Sequence, residues 1–310
     1  MRWNERLGKR LKLKDLHMLE AIARLGSMAR AAEDLSISQP AISKAMADLE
    51  ISLGVSLLHR SSRGVSITDC GRVLVRRSRA VFDEIRQGLV EIEHLSDPTR
   101  GEVRIGTGEA MTAFVSTIVD RASRQYPRMS YHVSVHDVTT LLRGLRDRDL
   151  DLVIARWTPS NSERDLVAEI LFRDRLHVMA GIDHALAKRR TQLTLAELAN
   201  ERWALPPHDS FLGKMVAQAF HAEGLDLPQA ILISISVQMR LNSLESGRFL
   251  TIHPNSLLRH SGNRGRFKAL PVELHDVAGP IASIRLRDRP VTGATKRFVE
   301  MTRTVAKAVA

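Results

Sequence analysis

Residues 26–54 restrict the fold more than any other part of the chain; they read GSMARAAEDLSISQPAISKAMADLEISLG. The pattern predicts two short helices joined by a tight polar turn. Ser27 is a suitable cap for the first helix, whose apolar residues recur at helical spacing: Met28, Ala31, Ala32 and Leu35. Ser38 is a suitable cap for the second helix, Pro40 fits its first turn, and Gly54 ends it. This second helix also has one apolar face: Ile42, Met46, Leu49 and Leu53.

The opposite face of the second helix has the character of a DNA-recognition surface. Its first turns carry Gln39, Ser43 and Lys44, which are small or form hydrogen bonds. A recognition helix needs donors and acceptors near its N-terminus and no bulk that holds it away from the base edges. Gln39 is suited to a base, Ser43 to a base or phosphate, and Lys44 to phosphate. The alternative interpretation is an ordinary amphipathic helix pair.

The charge of the chain favours a polyanionic partner or an anionic ligand. The 310 residues carry a formal net charge of +11. In the first fourteen residues, six basic side chains stand against one acid, Glu5, which gives +5. This segment has two possible interpretations, a solvated tail and an arm that contacts phosphate. The low aromatic content of 4% argues against binding of single strands by base stacking.

The single cysteine, Cys70, excludes a disulfide framework and a cysteine metal cluster. We interpret it as a small core residue and not as a redox sensor. No apolar run approaches the roughly 18 residues of a membrane span, and the basic start lacks the apolar core of a signal peptide. We therefore expect a reducing, cytoplasmic setting, no membrane, and neither metal nor cofactor.

Two further elements follow the helix pair. Residues 55–68 predict a small hairpin with a polar tip, a wing whose Arg60 and Arg63 would contact phosphate or a minor groove; exposed loop arginines are the alternative. Residues 69–95 contain no proline and predict one long helix. Its narrow apolar stripe is typical of a dimer seam: Leu74, Val81, Ile85, Leu89 and Ile92. Residues 96–99 break this helix and mark a domain boundary.

The rest of the chain, from about residue 102, alternates predicted strands and helices. This alternation is typical of parallel α/β layers, in which ligands bind outside the carboxyl ends of the strands. Enzyme motifs are absent: the run Gly106–Gly108 lacks the third glycine of a dinucleotide fingerprint, and His132 and His136 do not converge in a strand. Neither an HEXXH motif nor a G-x-S-x-G serine elbow occurs, so we expect no enzyme activity.

Residues 14–75 resemble the LysR-type transcriptional regulators of bacteria. The resemblance is specific and rests on Leu16, Leu19, Gly26, Ser27, Ala31, Ala32, Leu35, Ser38 to Ser43, Leu49, Glu50, Leu53, Gly54, Leu57, Leu58, Arg60, Thr68 and Gly71. The remaining residues fit this family mainly by layout, with landmarks at residues 150–152 and 194–198. Two positions depart from the family pattern: Leu58 replaces its usual phenylalanine, and Cys70 stands where alanine is frequent.

The resemblance implies an α/β multi-domain fold in three parts. Residues 1–68 would form a winged helix-turn-helix, 69–96 a linker helix that pairs in a dimer, and 97–310 an effector domain resembling type 2 periplasmic binding proteins. Lobe I of that domain would comprise 97–165 and 268–310, and lobe II 166–267. The implied DNA contacts are the wing arginines with Ser38, Gln39, Pro40, Ser43 and Lys44.

The resemblance also implies the partners: double-stranded DNA with an interrupted inverted repeat, a small-molecule effector, a second dimer to complete a homotetramer, and RNA polymerase. It places the protein on the nucleoid in the cytoplasm. Two alternatives from other classes stay open. One is an architectural DNA-binding protein that is indifferent to ligands, and the other is a metabolite-binding or enzymatic α/β protein with an incidental helix pair.

The effector site is predicted between the lobes. The loop after the first strand of the effector domain leads into a helix N-terminus, which attracts anions. A second loop, residues 206–210, faces it from lobe II, and Arg156 ends a strand and is suited to a carboxylate. We expect a small polar or anionic metabolite, and the candidate contacts are Thr107, Gly108, Thr112, Thr139, Arg156 and Ser210. At the second helix start, Val138 and Thr139 are both candidates for the family's hydroxyl position.

Overall fold

The computed structural model describes residues 11–61, 64–97, 99–157, 163–260, 265–274 and 279–308. These residues belong to two compact units, 1–92 and 93–310. Two predictions lie outside the described residues: most of the basic N-terminal segment, and Arg63 at the hairpin tip. Among the helices that the structure describes, none is long and apolar enough to cross a membrane.

The first unit is a helix-turn-helix with a hairpin and a long helix. Its elements are α1 (Leu13–Leu25), α2 (Met28–Asp34), α3 (Gln39–Leu53), β1 (Leu58–Ser61), β2 (Gly64–Ile67) and α4 (Asp69–Ser96). The predicted caps are confirmed, because Ser27 accepts from the Arg30 amide and Ser38 from the Ala41 amide. Gly54 has φ +72°, the left-handed conformation that ends a helix.

Helices α1, α2 and α3 share one core with the hairpin. Ile42 and Met46 of α3 are fully buried, and they pack in one cluster with Leu19 and Ala31. Leu57 and Leu58, at the start of the hairpin, are also buried in this cluster. At about 25 cal/mol per Å² of apolar surface removed from water, such buried side chains stabilise the unit by roughly 1.5–3 kcal/mol each. This core fixes the orientation of α3.

The interpretation of Cys70 as a core residue is wrong, since the structure exposes it in the first turn of α4. The buried position is its neighbour Gly71. A Cβ at Gly71 would lie 2.3 Å from the carbonyl oxygen of Leu57, so this position admits no side chain. Helical spacing then carries the buried face to Val75 and Ser78, and Cys70 lies to one side of it.

The second unit contains two five-stranded sheets. The first sheet is built from β3 (Gly101–Thr107), β4 (Met129–Val135), β5 (Leu152–Arg156), β6 (Leu166–Asp174) and β12 (Gly279–Leu286), in the order β4-β3-β5-β12-β6. Helices α5 (Thr112–Gln125) and α10 (Gly293–Lys307) contribute to a core cluster with β3, and α6 (Val138–Arg146) contributes to another. This sheet and its helices form lobe I.

Lobe II is built around the other sheet. Its strands are β7 (Leu176–Gly181), β8 (Trp203–Leu205), β9 (Ala230–Ile233), β10 (Leu250–Pro254) and β11 (Phe267–Ala269), in the order β11-β7-β10-β8-β9. One core cluster includes α7 (Phe211–Ala222), and another includes α8 (Val237–Leu244) and α9 (Asn255–His260). Helix α9 was not predicted from the sequence.

The predicted lobe boundaries are wrong at both crossings. Strand β6 was assigned to lobe II, but it pairs with β12 along its whole length in the lobe I sheet. Residues 268–274 were assigned to lobe I, but β11 pairs with β7 in the lobe II sheet. The chain therefore enters lobe II after Asp174 and returns to lobe I between residues 274 and 279. The crossings could not be predicted because the residues of an antiparallel edge strand do not indicate which of the two sheets the strand joins.

The alternation of strands and helices predicted parallel sheets, but both sheets are mixed. Strand β3 is parallel to β4 and β5, and β8 is parallel to β9 and β10. Strand β12 is antiparallel to both of its neighbours, and β7 is antiparallel to β10 and β11. The antiparallel strands are those next to the two crossings. The carboxyl ends of β3, β5 and β8 keep the arrangement that places loops at one edge of each sheet.

Candidate functional site

The N-terminal turns of α3 form an open polar surface. Gln39, Pro40 and Lys44 are exposed, and Ser43 is half-buried one turn along. Ser38 is exposed as well, with its hydroxyl at the Ala41 amide. The buried residues of α3 lie on its other side, so no core residue interrupts this surface. The five predicted contact residues on the helix are thus brought together.

The turn before α3 is held by its backbone. Ser36 has a positive φ of 54°, which is uncommon outside glycine and lets the chain reverse within three residues. The Ser36 amide donates to Glu33, and the Ile37 amide donates to Ala32. Ile37 then packs on the core of the unit. These contacts fix the angle between α2 and α3, and therefore the direction in which Gln39 points.

The hairpin after α3 is anchored to that helix by one carboxylate. An oxygen of Glu50 accepts from the backbone amides of Leu57 at 2.6 Å and Leu58 at 3.0 Å. Strands β1 and β2 then pair antiparallel, with Arg60 of β1 opposite Val65. The backbone of Arg60 therefore lies in a strand whose start is fixed to α3.

Helix α4 exposes most of the predicted apolar stripe, whereas its first member, Leu74, is half-buried and packs on the core of the unit. The exposed fractions rise along the helix, from 40% at Val81 and 44% at Ile85 to 58% at Leu89 and 62% at Ile92. The other side of α4 is buried and includes the polar Asp83 and Gln87. A helix that buries polar residues and exposes apolar ones has an unsatisfied apolar face. Such a face indicates a partner surface.

The predicted effector residues of lobe I lie near the ends of its strands. Gly108 caps a short 3-10 turn, Glu109–Met111, and nothing lies within 4 Å of the position of a Cβ there. Thr112 is half-buried at the start of α5 and donates to the carbonyl of Glu109. Thr139 is exposed in the first turn of α6, whose cap is Asp137. Gly108, Thr112 and Thr139 therefore lie at turns and helix starts beyond the strands.

Two further candidates hold the backbone in place. Thr107 is fully buried and donates to the carbonyl of Ile154 at 2.9 Å, so it joins the ends of β3 and β5 and does not line an open cleft. Ser210 is half-buried in lobe II and caps α7; it accepts from the Gly213 amide and donates to the Pro207 carbonyl. The hydroxyl of Ser210 can still accept one more hydrogen bond.

One side chain that the sequence analysis did not select reaches across the lobes. An oxygen of Glu109, in lobe I, accepts from the Ser236 hydroxyl at 3.1 Å and the Gln238 amide at 3.4 Å, both in lobe II. Ser236 is the cap of α8. The loop containing Glu109 was predicted as part of the site, but nothing in its sequence distinguishes an acid that faces solvent from one that faces another lobe.

A buried basic group lies behind this contact. Arg240 of α8 is 1% exposed, and its guanidinium donates to the carbonyls of Ser234 and Ile235 in the loop before the helix. Burial lowers the pKa of Arg240 to about 10, against the opposite effect of the negative charge of Glu109. Its Nη2 lies 3.5 Å from Nε2 of His253. The loop that receives Glu109 is therefore held by a buried cation.

Arg156 braces the two crossings between the lobes. Its Nη1 donates at 3.1 Å to the carbonyl of Asp174, where the chain leaves lobe I, and at 3.1 Å to that of Gly279, where it returns. A Cβ at Gly279 would lie 2.5 Å from Nη1, so a larger residue there would displace the Arg156 side chain. The Asp174 carboxylate in turn accepts from the amide and hydroxyl of Ser256 in α9. Arg156 therefore ties both crossings together, and its buried Nη2 lacks a hydrogen-bond partner among the described residues.

Replacement of Arg156 by methionine is expected to destabilise the second unit. The variant keeps much of the apolar volume but leaves two carbonyl groups at the crossings without their charged donor, at a cost of about 1.5–3 kcal/mol. Urea unfolding followed by tryptophan fluorescence measures this loss. Arg121→Met, at an exposed site of α5, is the matched control. An equal loss in the two variants would contradict the brace.

Comparisons with known proteins match both units. Residues 13–72 match the family model described as bacterial regulatory helix-turn-helix protein, lysR family, and residues 96–307 match the one described as LysR substrate binding domain. The chain is 28% identical over 287 residues to the HTH-type transcriptional regulator GbpR of Azospirillum brasilense, which covers 92% of this chain and 84% of that protein. It is 30% identical to the RuBisCO operon transcriptional regulator of Allochromatium vinosum, over 69% and 70% of the two chains.

Solved structures share the fold at low sequence identity. A full-length OxyR variant from Pseudomonas aeruginosa has a TM-score of 0.67 at 18% identity, covering 96% of this chain and 95% of that one. CbnR, a LysR family transcriptional regulator, has a TM-score of 0.64 at 19% identity, covering 96% and 99%. CbnR in complex with its target DNA has a TM-score of 0.55 at 20% identity, covering 96% and 100%. The described elements therefore belong to a fold that recurs in these regulators.

Proposed function

The chain belongs to the LysR family of transcriptional regulators, which have a helix-turn-helix DNA-binding domain and an effector-binding domain. We propose that the exposed N-terminal turns of α3 contact the bases of its operator. The observation that carries this assignment is the exposure of Gln39 and Lys44 beside the buried Ile42. We assign base contacts to Gln39 and Ser43. Phosphate contacts fall to Lys44, to the backbone near Ser38 and Pro40, and to the wing residues Arg60 and Arg63.

Replacement of Gln39 by alanine is expected to weaken specific DNA binding by about 1–3 kcal/mol, because a glutamine amide can pair twice with one adenine edge. That loss corresponds to about 5- to 150-fold in Kd. Binding to unrelated duplex should stay unchanged, since phosphate contacts are kept. Fluorescence anisotropy with a selected operator and with a scrambled duplex measures both affinities.

A matched pair of serines controls this experiment. Ser43→Ala should reduce specific binding, whereas Ser52→Ala, in the last turn of the same helix, should not. Lys44→Ala should weaken binding to both duplexes. It should also reduce the slope of the logarithm of the binding constant against the logarithm of the salt concentration by about one. Equal effects of Ser43→Ala and Ser52→Ala would contradict the assignment of α3 as the reading element.

We further propose that α4 pairs two chains through its exposed apolar stripe, and that two such dimers form a homotetramer on an interrupted inverted repeat. Ile85→Glu is expected to lower the molar mass in solution toward that of one chain, 34.6 kDa, because the carboxylate would be buried in the seam. Ile182→Glu, an equally exposed isoleucine of lobe II, is the control. Sedimentation analysis gives the masses, and an unchanged assembly in Ile85→Glu would exclude the seam.

The effector site is proposed between the lobes, for a small polar or anionic metabolite. Its contacts would come from Gly108, Thr112, Thr139 and Ser210, with Nη2 of Arg156 at the crossings. Thr107 supports the strand ends from behind. Thermal unfolding with a panel of metabolites tests this, since a ligand that binds only the folded chain raises Tm with its concentration. RNA polymerase is proposed as the partner at the promoter, in the cytoplasm on nucleoid DNA.

A further inference from the structure

The carboxylate of Glu109 links the two lobes at a point where the chain itself does not cross. It belongs to the 3-10 turn after β3, in lobe I, and its oxygen lies at the first turn of α8, in lobe II. The two donors, the Ser236 hydroxyl and the Gln238 amide, are 127 and 129 residues away in sequence. This contact is therefore a tertiary link that joins the turn after β3 in lobe I to the first turn of α8 in lobe II.

The local charges favour an anion at this position. The first amides of a helix have no intrahelical partners and carry partial positive charge. Among the described residues of α8, none in the first turn is acidic. Arg240, one turn along, is buried and charged, and it attracts the Glu109 carboxylate. A negative group at the start of α8 thus accepts from an amide and a hydroxyl and is attracted by a buried cation.

Apolar contacts beside Glu109 bring the same two surfaces together. Ala110 follows Glu109 and packs against a lobe II cluster that includes Met179, Val237 and Leu241. Helix α9 of lobe II also contacts α5 and the 3-10 turn of lobe I. The link is therefore one polar contact at the margin of a wider contact between the lobes, and its release would not by itself unfold either lobe.

We propose that Glu109 is a built-in anionic latch: in the ligand-free chain its carboxylate holds lobe I against the start of α8, and a ligand carboxylate or phosphate that enters between the lobes competes for the same donors. The second half of this statement rests on the proposed effector function, whereas the first half does not. Without an effector, the latch holds the two lobes of the regulator together. When an anionic ligand binds, the ligand takes the place of Glu109 and holds the lobes together instead.

Amide hydrogen exchange of the full-length chain, without ligand or DNA, tests the latch. Glu109→Ala is expected to speed exchange in peptides from residues 234–241 by about tenfold or more, the factor that corresponds to loss of a charge-assisted hydrogen bond. Glu109→Gln keeps the shape of the side chain without its charge and should give a smaller increase. Peptides at the start of α7, which is capped by Ser210 within lobe II, should exchange as in the wild type.

Glu102→Gln is the matched control, because Glu102 is an exposed acid on β3 of the same lobe. Added acetate, compared with chloride at equal ionic strength, should restore protection at α8 in Glu109→Ala by supplying the missing carboxylate. The latch is overturned by unchanged exchange at α8 in Glu109→Ala, by equal increases at α7 and α8, or by the same increase in Glu102→Gln. It is also overturned as an anionic device if acetate has no effect on Glu109→Ala.

Competition by a ligand is read separately. Inorganic phosphate is the probe, and in the wild type it should raise exchange at the Glu109 loop while leaving α8 protected. Faster exchange at α8 in Glu109→Ala, without any phosphate effect in the wild type, would keep the latch and reject the anionic effector. The failure of the latch and the failure of the proposed effector function therefore give different results.

Discussion

Asp151→Asn is expected to lower the free energy of unfolding of the second unit by about 3–5 kcal/mol, the cost of removing one partner from a buried ion pair. Asp151 directly precedes β5, and its side chain is 7% exposed. It accepts from Nη2 of Arg104 at 2.9 Å, from the Arg104 amide at 2.8 Å and from Nη2 of Arg289 at 2.8 Å. Asparagine would remove the negative charge that Asp151 supplies to two largely buried guanidinium groups.

The same carboxylate predicts a response to acid. Burial raises the pKa of Asp151, but hydrogen bonds and charge from Arg104, with the charge of Arg289, outweigh it, so the pKa lies below its ordinary value. A depressed carboxylate pKa stabilises the folded state above the unfolded pKa of about 4, and this contribution is lost as the pH falls through the folded pKa. Asp151→Asn should therefore flatten the acid limb of the stability profile.

Urea unfolding followed by tryptophan fluorescence measures the loss, because Trp157 and Trp203 are buried in lobes I and II. Asp120→Asn is the control, since Asp120 pairs with Arg124 on the exposed face of α5 and such pairs contribute about 0.3–0.5 kcal/mol. A loss below about 1 kcal/mol in Asp151→Asn would contradict the view that this cluster holds the lobe I strands together.

The second large effect is expected from His253 as the pH is lowered. His253 is fully buried in β10, opposite His177 of β7 and beside Arg240 of α8. Burial and the positive charge of Arg240 both lower the pKa of His253 well below its ordinary value. Below about pH 6.5 the unfolded chain binds a proton that the folded chain refuses. The free energy of unfolding therefore falls by about 1.4 kcal/mol for each unit by which the pH is lowered, until the pH reaches the pKa of His253 in the folded chain.

His253→Asn removes this titration and keeps an acceptor for Arg240. Between pH 6.5 and 5.0, the free energy of unfolding should fall by about 2 kcal/mol less in the variant than in the wild type. Urea midpoints at several pH values give the comparison. His221→Asn, on the exposed end of α7, should leave the wild-type slope unchanged. If the free energy of unfolding has the same slope against pH in the wild type and in His253→Asn, the prediction that His253 is buried in its neutral form is wrong.

The sequence predicted those parts of the fold that depend on local chemistry. Ser27 and Ser38 cap helices because their side chains satisfy amides three residues away, and Gly54 ends α3 because glycine accepts a positive φ. The apolar stripe of α4 was likewise visible in residue spacing alone. The exposed face of α3 follows from the same periodicity, since the positions of Ile42 and Met46 determine which residues point outward.

Features that depend on distant partners could not be predicted. Strand β6 joins lobe I because β12, over a hundred residues later, pairs with it. Arg156 ends a strand as expected, but its position between two crossings commits one nitrogen to backbone carbonyls. Cys70 and Gly71 are adjacent in the first turn of α4, and only the close approach of Leu57 decides which of them is buried. Glu109 acquires its role solely from a helix in the other lobe.

The most direct test of the central claim is selection of bound sequences from a pool of random duplexes at near-physiological salt. A dimeric regulator that reads DNA through α3 should enrich a two-fold symmetric pattern, with half-sites at one fixed spacing in major grooves on the same side of the duplex. Gln39→Ala should lose the preference at the bases that Gln39 reads and keep the spacing. No enrichment, with affinity governed by salt alone, would contradict sequence-specific regulation and reduce α3 to a generic phosphate-binding element.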